Sequence, residues 1–375
     1  MTSRERIIAV LRGNKPDRIP WIPLCSWTYF ESIPDYREAS NWSSLKALKL
    51  RIDFYKNKIG ADYMQWGGFH CYRTTSSANV EVNSTRNGNT IYTEYHTPVG
   101  TLTSEQVYSE TAHTTYHTKD LLENAQDLKV YQYMIENTSY ESDYDGLTEQ
   151  LNILGQEGVF FISAPPPPLK SFLLGTMRLK NAIYVIHDHK PEFDNLVKVI
   201  DSKNQELYQI LAESPGEIFL DAAVTGTGMI SPKIFEEYYL PYTKKYADIL
   251  HKKGKLYINH ASGEPVRNIL EMVKMTDIDG LYGLSCPPVG DIKISEVRSG
   301  LGGNIAVMGG LDSDFIATKT VKELQDKTRF ILSGVAPGDN FMLATADDTP
   351  YGTPIENLKA VSHIVQEFGK YPIAL

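Results

Sequence analysis

Residues of three types that bind metal ions stand at or just after the ends of apolar runs in the second half of the chain. They are His260, Cys286 and the pair Asp347 and Asp348. An imidazole nitrogen, a thiolate and a carboxylate form a plausible zinc set in which a fourth position stays open for a substrate. The pattern therefore indicates a zinc site formed by His260, Cys286 and Asp347, with Asp348 as a catalytic group beside it.

Each of these residues also has an ordinary structural explanation. His260 could donate a hydrogen bond to a backbone carbonyl, and Cys286 could be a small core residue ahead of two prolines. The two aspartates could cap the helix that is expected to begin near Pro354. Three single positions lack the specificity of a tight paired-cysteine motif. Both interpretations therefore stay open from the residues alone.

Other polar and aromatic residues stand at comparable positions. Asp221 ends an apolar run, where it could anchor a substrate, act as a general base, or bind backbone amides of the loop 224–228. His70 follows another run and is a candidate substrate contact, although its neighbour Cys71 points the opposite way on an extended segment. Trp27 and Trp66 predict that the substrate pocket is aromatic and apolar on one side.

Eight strand-length apolar runs must position these side chains. They are residues 18–24, 62–66, 158–163, 217–222, 255–260, 280–285, 304–309 and 340–345. Amphipathic helical stretches follow several of them, at 232–253, 266–275, 294–301, 321–332 and 355–368. Strands that alternate with helices favour parallel pairing, and eight units make a closed (β/α)8 TIM barrel, with its chemistry at the C-terminal ends of the strands. We therefore predict an α/β fold with one barrel domain over residues 1–375.

Two additions to the barrel are expected. Residues 1–60 supply an N-terminal helical extension, which starts at a capping box from Thr2 to Glu5 and includes a helix at 43–57, together with the first strand. Residues 79–105 alternate Thr, Val and Tyr around an Asn-Gly-Asn turn, a pattern typical of a β-hairpin inserted in a barrel loop.

Composition narrows the function classes. The chain has 375 residues, of which 42% are hydrophobic, and a net charge of -9, which disfavours nucleic acid as a partner. It has no apolar stretch of about 18 residues that could cross a membrane. Three scattered cysteines form no disulfide framework, so we expect a cytoplasmic protein. No phosphate-binding GxxxxGK[ST] loop, HExxH helix or GxSxG elbow is present.

Four segments resemble the uroporphyrinogen decarboxylase superfamily. They read RERIIAVLRGNKPDRIP at 4–20, ISPKIFEEYYLPY at 230–242, GKLYINHASG at 254–263 and TPIENL at 353–358. They lie in order along nearly the whole chain. The resemblance implies a single-domain (β/α)8 barrel with a pocket at the strand C-termini, and a possible homodimer.

This superfamily has two main branches, which carry out different chemistry. True uroporphyrinogen decarboxylases hold an acidic tetrapyrrole with arginines from a motif after the first strand. In this chain the first strand is followed by residues 25–32, which read CSWTYFES and contain no arginine. Without guanidinium groups the substrate carboxylates would have no bidentate partners. This branch therefore fits the sequence poorly.

The other branch consists of zinc-dependent methyltransferases that use a corrinoid carried by a separate protein. Its metal site resembles His-x-Cys on the fifth strand and a cysteine ahead of the closing motif. His260 matches the first position, whereas Ser262 and Asp347 stand where the two cysteines are expected. Cys286 could restore one thiolate, and a His260, Cys286 and Asp347 set would suit an oxygen substrate better than a thiol. The stretch TPVGTL at 97–102 also resembles O-demethylase-like members.

The expected function is therefore methyl transfer between a small methylated compound, such as a methyl ether, an alcohol or a folate-like carrier, and a corrinoid-binding protein. The expected catalytic residues are Asp221, His260 and Asp348, and Ser262 is a further substrate contact. Two alternatives remain at this point. One is a uroporphyrinogen-type decarboxylase, and the other is a non-catalytic barrel that binds a small molecule or a partner protein.

Overall fold

A computed structural model describes residues 1–68, 70–77, 79–110, 114–173, 175–371 and 373, without the side chains of 222–224. Its strands are β1 (Trp21–Ile22), β2 (Tyr63–Trp66), β3 (Tyr72–Ser76), β4 (Glu81–Asn87), β5 (Thr90–Thr97), β6 (Gly100–Ser109), β7 (Thr114–Lys119), β8 (Thr138–Ser142), β9 (Gly158–Ala164), β10 (Ile218–Val224), β11 (Leu256–His260), β12 (Gly280–Leu284), β13 (Ala306–Leu311) and β14 (Phe341–Thr345).

The α-helices are α1 (Ser3–Leu11), α2 (Trp27–Glu31), α3 (Leu45–Asp53), α4 (Asp127–Glu136), α5 (Asp145–Leu154), α6 (Pro168–Leu173), α7 (Leu179–Asp188), α8 (Lys190–Glu213), α9 (Pro232–Tyr238), α10 (Leu240–His251), α11 (Leu270–Lys274), α12 (Ile294–Leu301), α13 (Ser313–Thr318), α14 (Val321–Val335) and α15 (Ile355–Phe368). Short 3-10 helices span Pro34–Ser40 and Arg267–Ile269, and a π-helical segment spans Phe54–Ile59. Among the described residues, no helix has both the length and the apolarity needed to cross a membrane.

Eight parallel strands form the central sheet in the order β1-β14-β13-β12-β11-β10-β9-β2. The two ends of this order approach each other, since the amide of Asp62, just before β2, donates to the carbonyl of Trp21 in β1 at 2.8 Å. The sheet is therefore a nearly closed (β/α)8 barrel, as predicted. Each of the eight predicted apolar runs overlaps a barrel strand.

Alternate residues of each barrel strand point inward, because side chains along a strand alternate between its two faces. The inward residues form one buried apolar cluster, which includes Met64, Val159, Phe161, Ile218, Leu220, Leu256, Ile258, Tyr282, Met308 and Met342. This alternation places residues 66, 260 and 282 on the inner face near the carboxyl ends of their strands. The intervening residues, such as Asp221 and Asn259, face the surrounding helices.

Each predicted helical stretch contains helix, with differences in detail: 266–275 is a 3-10 turn followed by α11, and 43–57 is α3 followed by the π-helical segment. The helices at 294–301 and 355–368 have the predicted bounds, and Thr2 and Glu5 form the predicted capping box at the start of α1. The stretch 232–253 consists of two helices, α9 and α10, which meet at Tyr239. Pro241 explains the break, because proline has no N–H to continue the helical hydrogen bonds.

The chain divides into two compact units. One comprises Met1–His70, Tyr144–Ala164 and Leu211–Leu375 and contains the barrel; the other comprises Cys71–Asp143 and Pro165–Ile210. The second unit contains the predicted hairpin as β4 and β5, and its antiparallel sheet continues through β6 and β7. This division into compact units does not test the prediction of one domain over residues 1–375, which stays a prediction.

At the amino end of the barrel, one buried carboxylate connects several elements. Asp62, only 1% exposed, forms ion pairs with Arg6 of α1 and with Arg18 ahead of β1. It also accepts a hydrogen bond from the amide of Trp21 at 3.0 Å. These contacts of Asp62 with two arginines and a backbone amide thus join the N-terminal extension to the first two strands.

Candidate active site at the carboxyl end of the barrel

His260, the last residue of β11, lies inside the mouth of the barrel. It is 5% exposed and packs between two aromatic rings. The Trp66 ring meets it edge-on with the centroids 5.0 Å apart, and the Tyr282 ring stacks on it at 5.6 Å and 26°. The indole nitrogen of Trp66 donates to Ser163 at 3.1 Å, which fixes that ring. The mouth therefore has the aromatic lining that the sequence predicts.

Gly283 lets the imidazole approach β14. A Cβ at this position would lie 2.8 Å from His260 Nε2 and 2.8 Å from the carbonyl oxygen of Ala346, and the residue has a φ of +83°. Side chains other than hydrogen are excluded by both the contacts and the backbone conformation. Gly283 therefore sets the position of His260 against the segment that carries Asp347 and Asp348.

Ser262 and Asp347 are in direct contact. The Ser262 hydroxyl donates to Asp347 Oδ2 at 2.8 Å, and the amide of Asp348 donates to the other oxygen, Oδ1, at 2.8 Å. The two positions at which the resemblance places metal-binding cysteines are thus adjacent in space. In this chain they form a serine–carboxylate pair.

Asp348 titrates near neutral pH. Burial among the surrounding protein atoms raises the pKa of its carboxyl group to about 6, although part of the residue is exposed. A hydrogen bond from Ser26 lowers this pKa, and the negative charge of Asp347 raises it. Burial, with a further contribution from both aspartates, holds the pKa of the Tyr282 phenol well above its usual value. The mouth thus contains a carboxyl group that can exchange a proton at physiological pH.

The expected zinc set is not assembled. Cys286 lies beside Ile294 and Lys327 and lines a pocket between α12 and α14, whereas His260 faces the barrel interior. Within the described ranges, no group of three His, Cys, Asp or Glu side chains is arranged to hold a metal ion. Burial also raises the pKa of the Cys286 thiol, which disfavours the thiolate that zinc requires. The residues present therefore do not fit the metal site expected from the sequence.

Asp221 is completely buried and faces the helices. Its Oδ2 accepts a hydrogen bond from the Tyr239 hydroxyl at 2.9 Å, and the same hydroxyl accepts from Asn259 Nδ2 at 2.8 Å. Thr225 joins this network at 2.6 Å through its hydroxyl, and its amide donates to the His260 carbonyl. The catalytic role expected for Asp221 stays a prediction; from its place in this buried network, we interpret Asp221 as a positioning residue for the end of β11.

The remaining predicted contacts lie at the rim. Trp27 begins α2 and is 43% exposed, next to Ser26, whose hydroxyl contacts Asp348 and Thr28. His70 is exposed beyond the end of β2. Trp66 is the one of these three that contacts His260 in the part of the chain that the structure describes.

A family model covers the part of the chain that carries most of this site. The model of the uroporphyrinogen decarboxylase family matches residues 166–368, which is more than half of the chain and includes His260, Asp347 and Asp348. The chain belongs to this family. No curated protein sequence matches it significantly.

Comparison with solved structures concerns the fold alone. A methyltransferase from Methanosarcina mazei superimposes with a TM-score of 0.62 at 14% identity, over 98% of this chain and 99% of that one. D-psicose 3-epimerase from Clostridium cellulolyticum H10 is far less similar, with a TM-score of 0.36 at 11% identity over 69% of this chain and 90% of the epimerase. At these identities, the first similarity establishes a shared fold and the second supports no conclusion.

Two members of the site were missed from the sequence. Tyr282 lies inside the barrel against His260, and the inward alternation of residues 280–284 was the signal that could have identified it. Ser26 contacts Asp348 across the ends of β1 and β14, which are neighbours in the sheet but are separated by more than 300 residues. Only strand order brings these two residues together.

Proposed function

We propose that this protein is a methyltransferase that moves the methyl group of a small methylated oxygen compound to a corrinoid carried by a separate protein. The observation that carries the proposal is the Asp348 carboxyl group at the barrel mouth, with its pKa near 6 and its neighbours Ser26 and Asp347. Membership of the uroporphyrinogen decarboxylase family and the full-length fold similarity to a methyltransferase support it.

Asp348 supplies the proton that this reaction consumes. When the bond between the methyl carbon and oxygen breaks, the electron pair remains on the oxygen, which then needs a proton to leave as an alcohol. A carboxyl group with a pKa of about 6 is about half protonated at that pH and about one tenth protonated at pH 7, and its protonated form can donate to the leaving oxygen. The corrinoid supplies the nucleophile that accepts the methyl group.

The other residues of the mouth orient the reactants. Trp66, which is partly exposed, offers an apolar ring surface to a small organic substrate, and the buried rings of His260 and Tyr282 support it from below. Asp347, fixed by Ser262, keeps negative charge beside Asp348 and so favours the protonated form of that residue. No step is assigned to zinc, because its expected ligands are not brought together.

Decarboxylation of uroporphyrinogen is disfavoured by the same charges. The residues after β1 include Ser26 and Trp27 in place of an arginine motif, and two carboxylates stand at the mouth. A substrate with many carboxylates would be repelled there.

The test is methyl transfer from a panel of aryl and alkyl methyl ethers to free, chemically reduced cobalamin, followed by absorbance and by quantification of the alcohol. We expect transfer by the unmodified protein, a large loss in Asp348→Asn, and no loss in Asp326→Asn, a matched change at an exposed aspartate on α14. Absence of transfer from every ether, together with decarboxylation of uroporphyrinogen, would replace this proposal by the decarboxylase. Absence of both reactions would favour the non-catalytic barrel.

Dialysis of the protein against a chelator tests the expected zinc site separately. Activity should survive dialysis against a chelator, since Cys286 lies apart from His260. Loss of activity on dialysis and its return with zinc would restore a metal to the scheme.

A further inference from the structure

A second cavity lies on the outside of the barrel, between α12 and α14. It has a volume of about 170 Å³, similar to engineered apolar cavities of about 150 Å³ that admit benzene. Its lining consists of Cys286, Pro287, Lys293, Ile294, Ser295, Lys327, Phe330, Ile331, Gly334 and Val335. None of these residues belongs to the site at the barrel mouth.

The walls of this cavity are apolar and its rim is basic. Ile294, Ile331 and Val335 are buried side chains that line it, and the two lysines, Lys293 and Lys327, stand at its edge. Neither lysine forms an ion pair with a carboxylate among the residues that the structure describes. In a chain with a net charge of -9, the cavity is thus a locally cationic place.

Two further groups adjust this charge. The carboxylate of Asp312, which is hydrogen-bonded to Ser285, interacts electrostatically with Lys327 and offsets one of the two positive charges. The first turn of α12 lines the cavity with Ile294 and Ser295, and the helix has no side-chain cap, so its positive end adds a modest attraction for anions. Glu296 in the same turn opposes this attraction and is itself paired with Arg267 at 2.9 Å, so Lys293 and the partly offset Lys327 supply the positive charge of the rim.

Gly334 is an exposed residue at the opening of the cavity. It lies in the last turn of α14 without a positive φ, and a Cβ built on it meets no atom within 4 Å. Glycine in a helical conformation costs stability relative to alanine, and neither the backbone nor a neighbour requires glycine here. The space beside Gly334 therefore adjoins solvent, and a larger side chain there could cover the opening of the cavity.

We propose that this cavity binds a small monoanionic carboxylic acid with a flat apolar body about the size of benzoate. The carboxylate pairs with Lys327 and Lys293, and the ring lies on Ile294, Ile331 and Val335. Cys286 lies at the inner wall, where a bound acid shields its thiol. This site is independent of the methyl transfer proposed for the barrel mouth.

Protection of Cys286 from alkylation measures occupancy directly. The full-length protein is treated with iodoacetamide, with benzoate or its uncharged analogue benzamide at equal millimolar concentrations, and the modified cysteines are quantified by mass spectrometry. Cys25 and Cys71 are each 3% exposed and serve as internal references, whereas Cys286 is 9% exposed. We expect benzoate to slow alkylation of Cys286 and benzamide to have little effect. Equal protection by both compounds, or protection by neither, would overturn the proposal.

Three variants locate the ligand. Lys327→Met should weaken protection by benzoate at least about tenfold in concentration, because a charged hydrogen bond is lost. Gly334→Leu should abolish protection by covering the opening of the cavity, and its unchanged thermal unfolding would show that the fold is intact; Gly334→Ala is the milder variant if it is not. Lys322→Met, on an exposed part of the same helix, is the matched control and should leave protection unchanged. Full protection in both Gly334→Leu and Lys327→Met would place benzoate elsewhere and refute the site.

Discussion

The carboxylates at the two ends of the barrel have opposite electrostatic surroundings. At the amino end, Asp62 is buried and is surrounded by Arg6, Arg18 and a backbone amide. At the carboxyl end, Asp347 and Asp348 stand side by side, and their described partners are serine hydroxyls and a backbone amide. One end compensates its negative charge fully, and the other leaves it uncompensated.

This difference in surroundings suits the amino end of the barrel to stabilising the fold and the carboxyl end to proton transfer. A carboxylate between two guanidinium groups forms charged hydrogen bonds that join elements distant in the chain. Burial raises the pKa of Asp348 to about 6, and the neighbouring Asp347 raises it further, which brings it into the range useful for proton transfer. Charges at the amino end should therefore govern folding, whereas those at the carboxyl end should govern turnover.

The largest effect should come from removing the proton donor. Asp348→Asn should lower kcat/KM for methyl transfer by about 100-fold or more, the usual contribution of a general acid. In the unmodified enzyme, kcat/KM should fall as pH rises through about 6, because the acid must be protonated, and this limb should vanish in the variant. A pH–rate profile from pH 5 to 8 measures both. An unchanged descending limb in Asp348→Asn would assign the titration to another group.

The corresponding change at the amino end should affect stability alone. Asp62→Asn leaves Arg6 and Arg18 without their buried carboxylate and should lower the free energy of unfolding by about 3 kcal/mol. Urea denaturation measures this loss, and kcat per folded molecule should remain at the unmodified value. A strong loss of kcat with normal stability would break the division between the two ends.

Gly283→Ala tests how closely the mouth is packed. The new Cβ would collide with His260 and the Ala346 carbonyl, at a residue with positive φ, so both stability and activity should fall. We expect a loss of about 1–3 kcal/mol in unfolding free energy and a smaller loss of kcat/KM than in Asp348→Asn. Gly302→Ala, at a positive-φ position with no neighbour within 4 Å, controls for backbone strain alone. Equal effects of the two changes on kcat/KM would show that the His260 contact is unimportant.

The smallest effect concerns the pH dependence of stability. The folded protein holds the Asp348 proton up to about pH 6, whereas an unfolded carboxyl group releases it near pH 4, so ionisation between these values destabilises the fold. Asp348→Asn should therefore raise the free energy of unfolding at pH 7, by less than about 1 kcal/mol because the group is partly exposed. Asp17, whose pKa is lowered chiefly by its hydrogen bond from Arg6 against the opposing effect of burial, should instead lose its stabilising contribution as pH falls below about 4. Denaturation curves at pH 4 and 7 distinguish the two signs.

Much of the barrel could be predicted from local pattern. Each of the eight apolar runs overlaps a strand, and α12 and α15 have the predicted bounds, because alternation and helical periodicity are properties of neighbouring residues. The same local logic placed His260, Ser262, Asp347 and Asp348 at strand ends. Since parallel strands end at one face of a barrel, their convergence followed from the fold.

What only the tertiary structure decided is the direction in which each side chain points and which strands are neighbours. Asp221 and Cys286 also stand at strand ends, but one faces the helices and the other lines an outer cavity, so neither joins the mouth. Ser26 reaches Asp348 only because β1 lies beside β14. A sequence carries no distance between residues so far apart, and the pKa of Asp348 depends on such distances and on the burial that closure of the barrel creates.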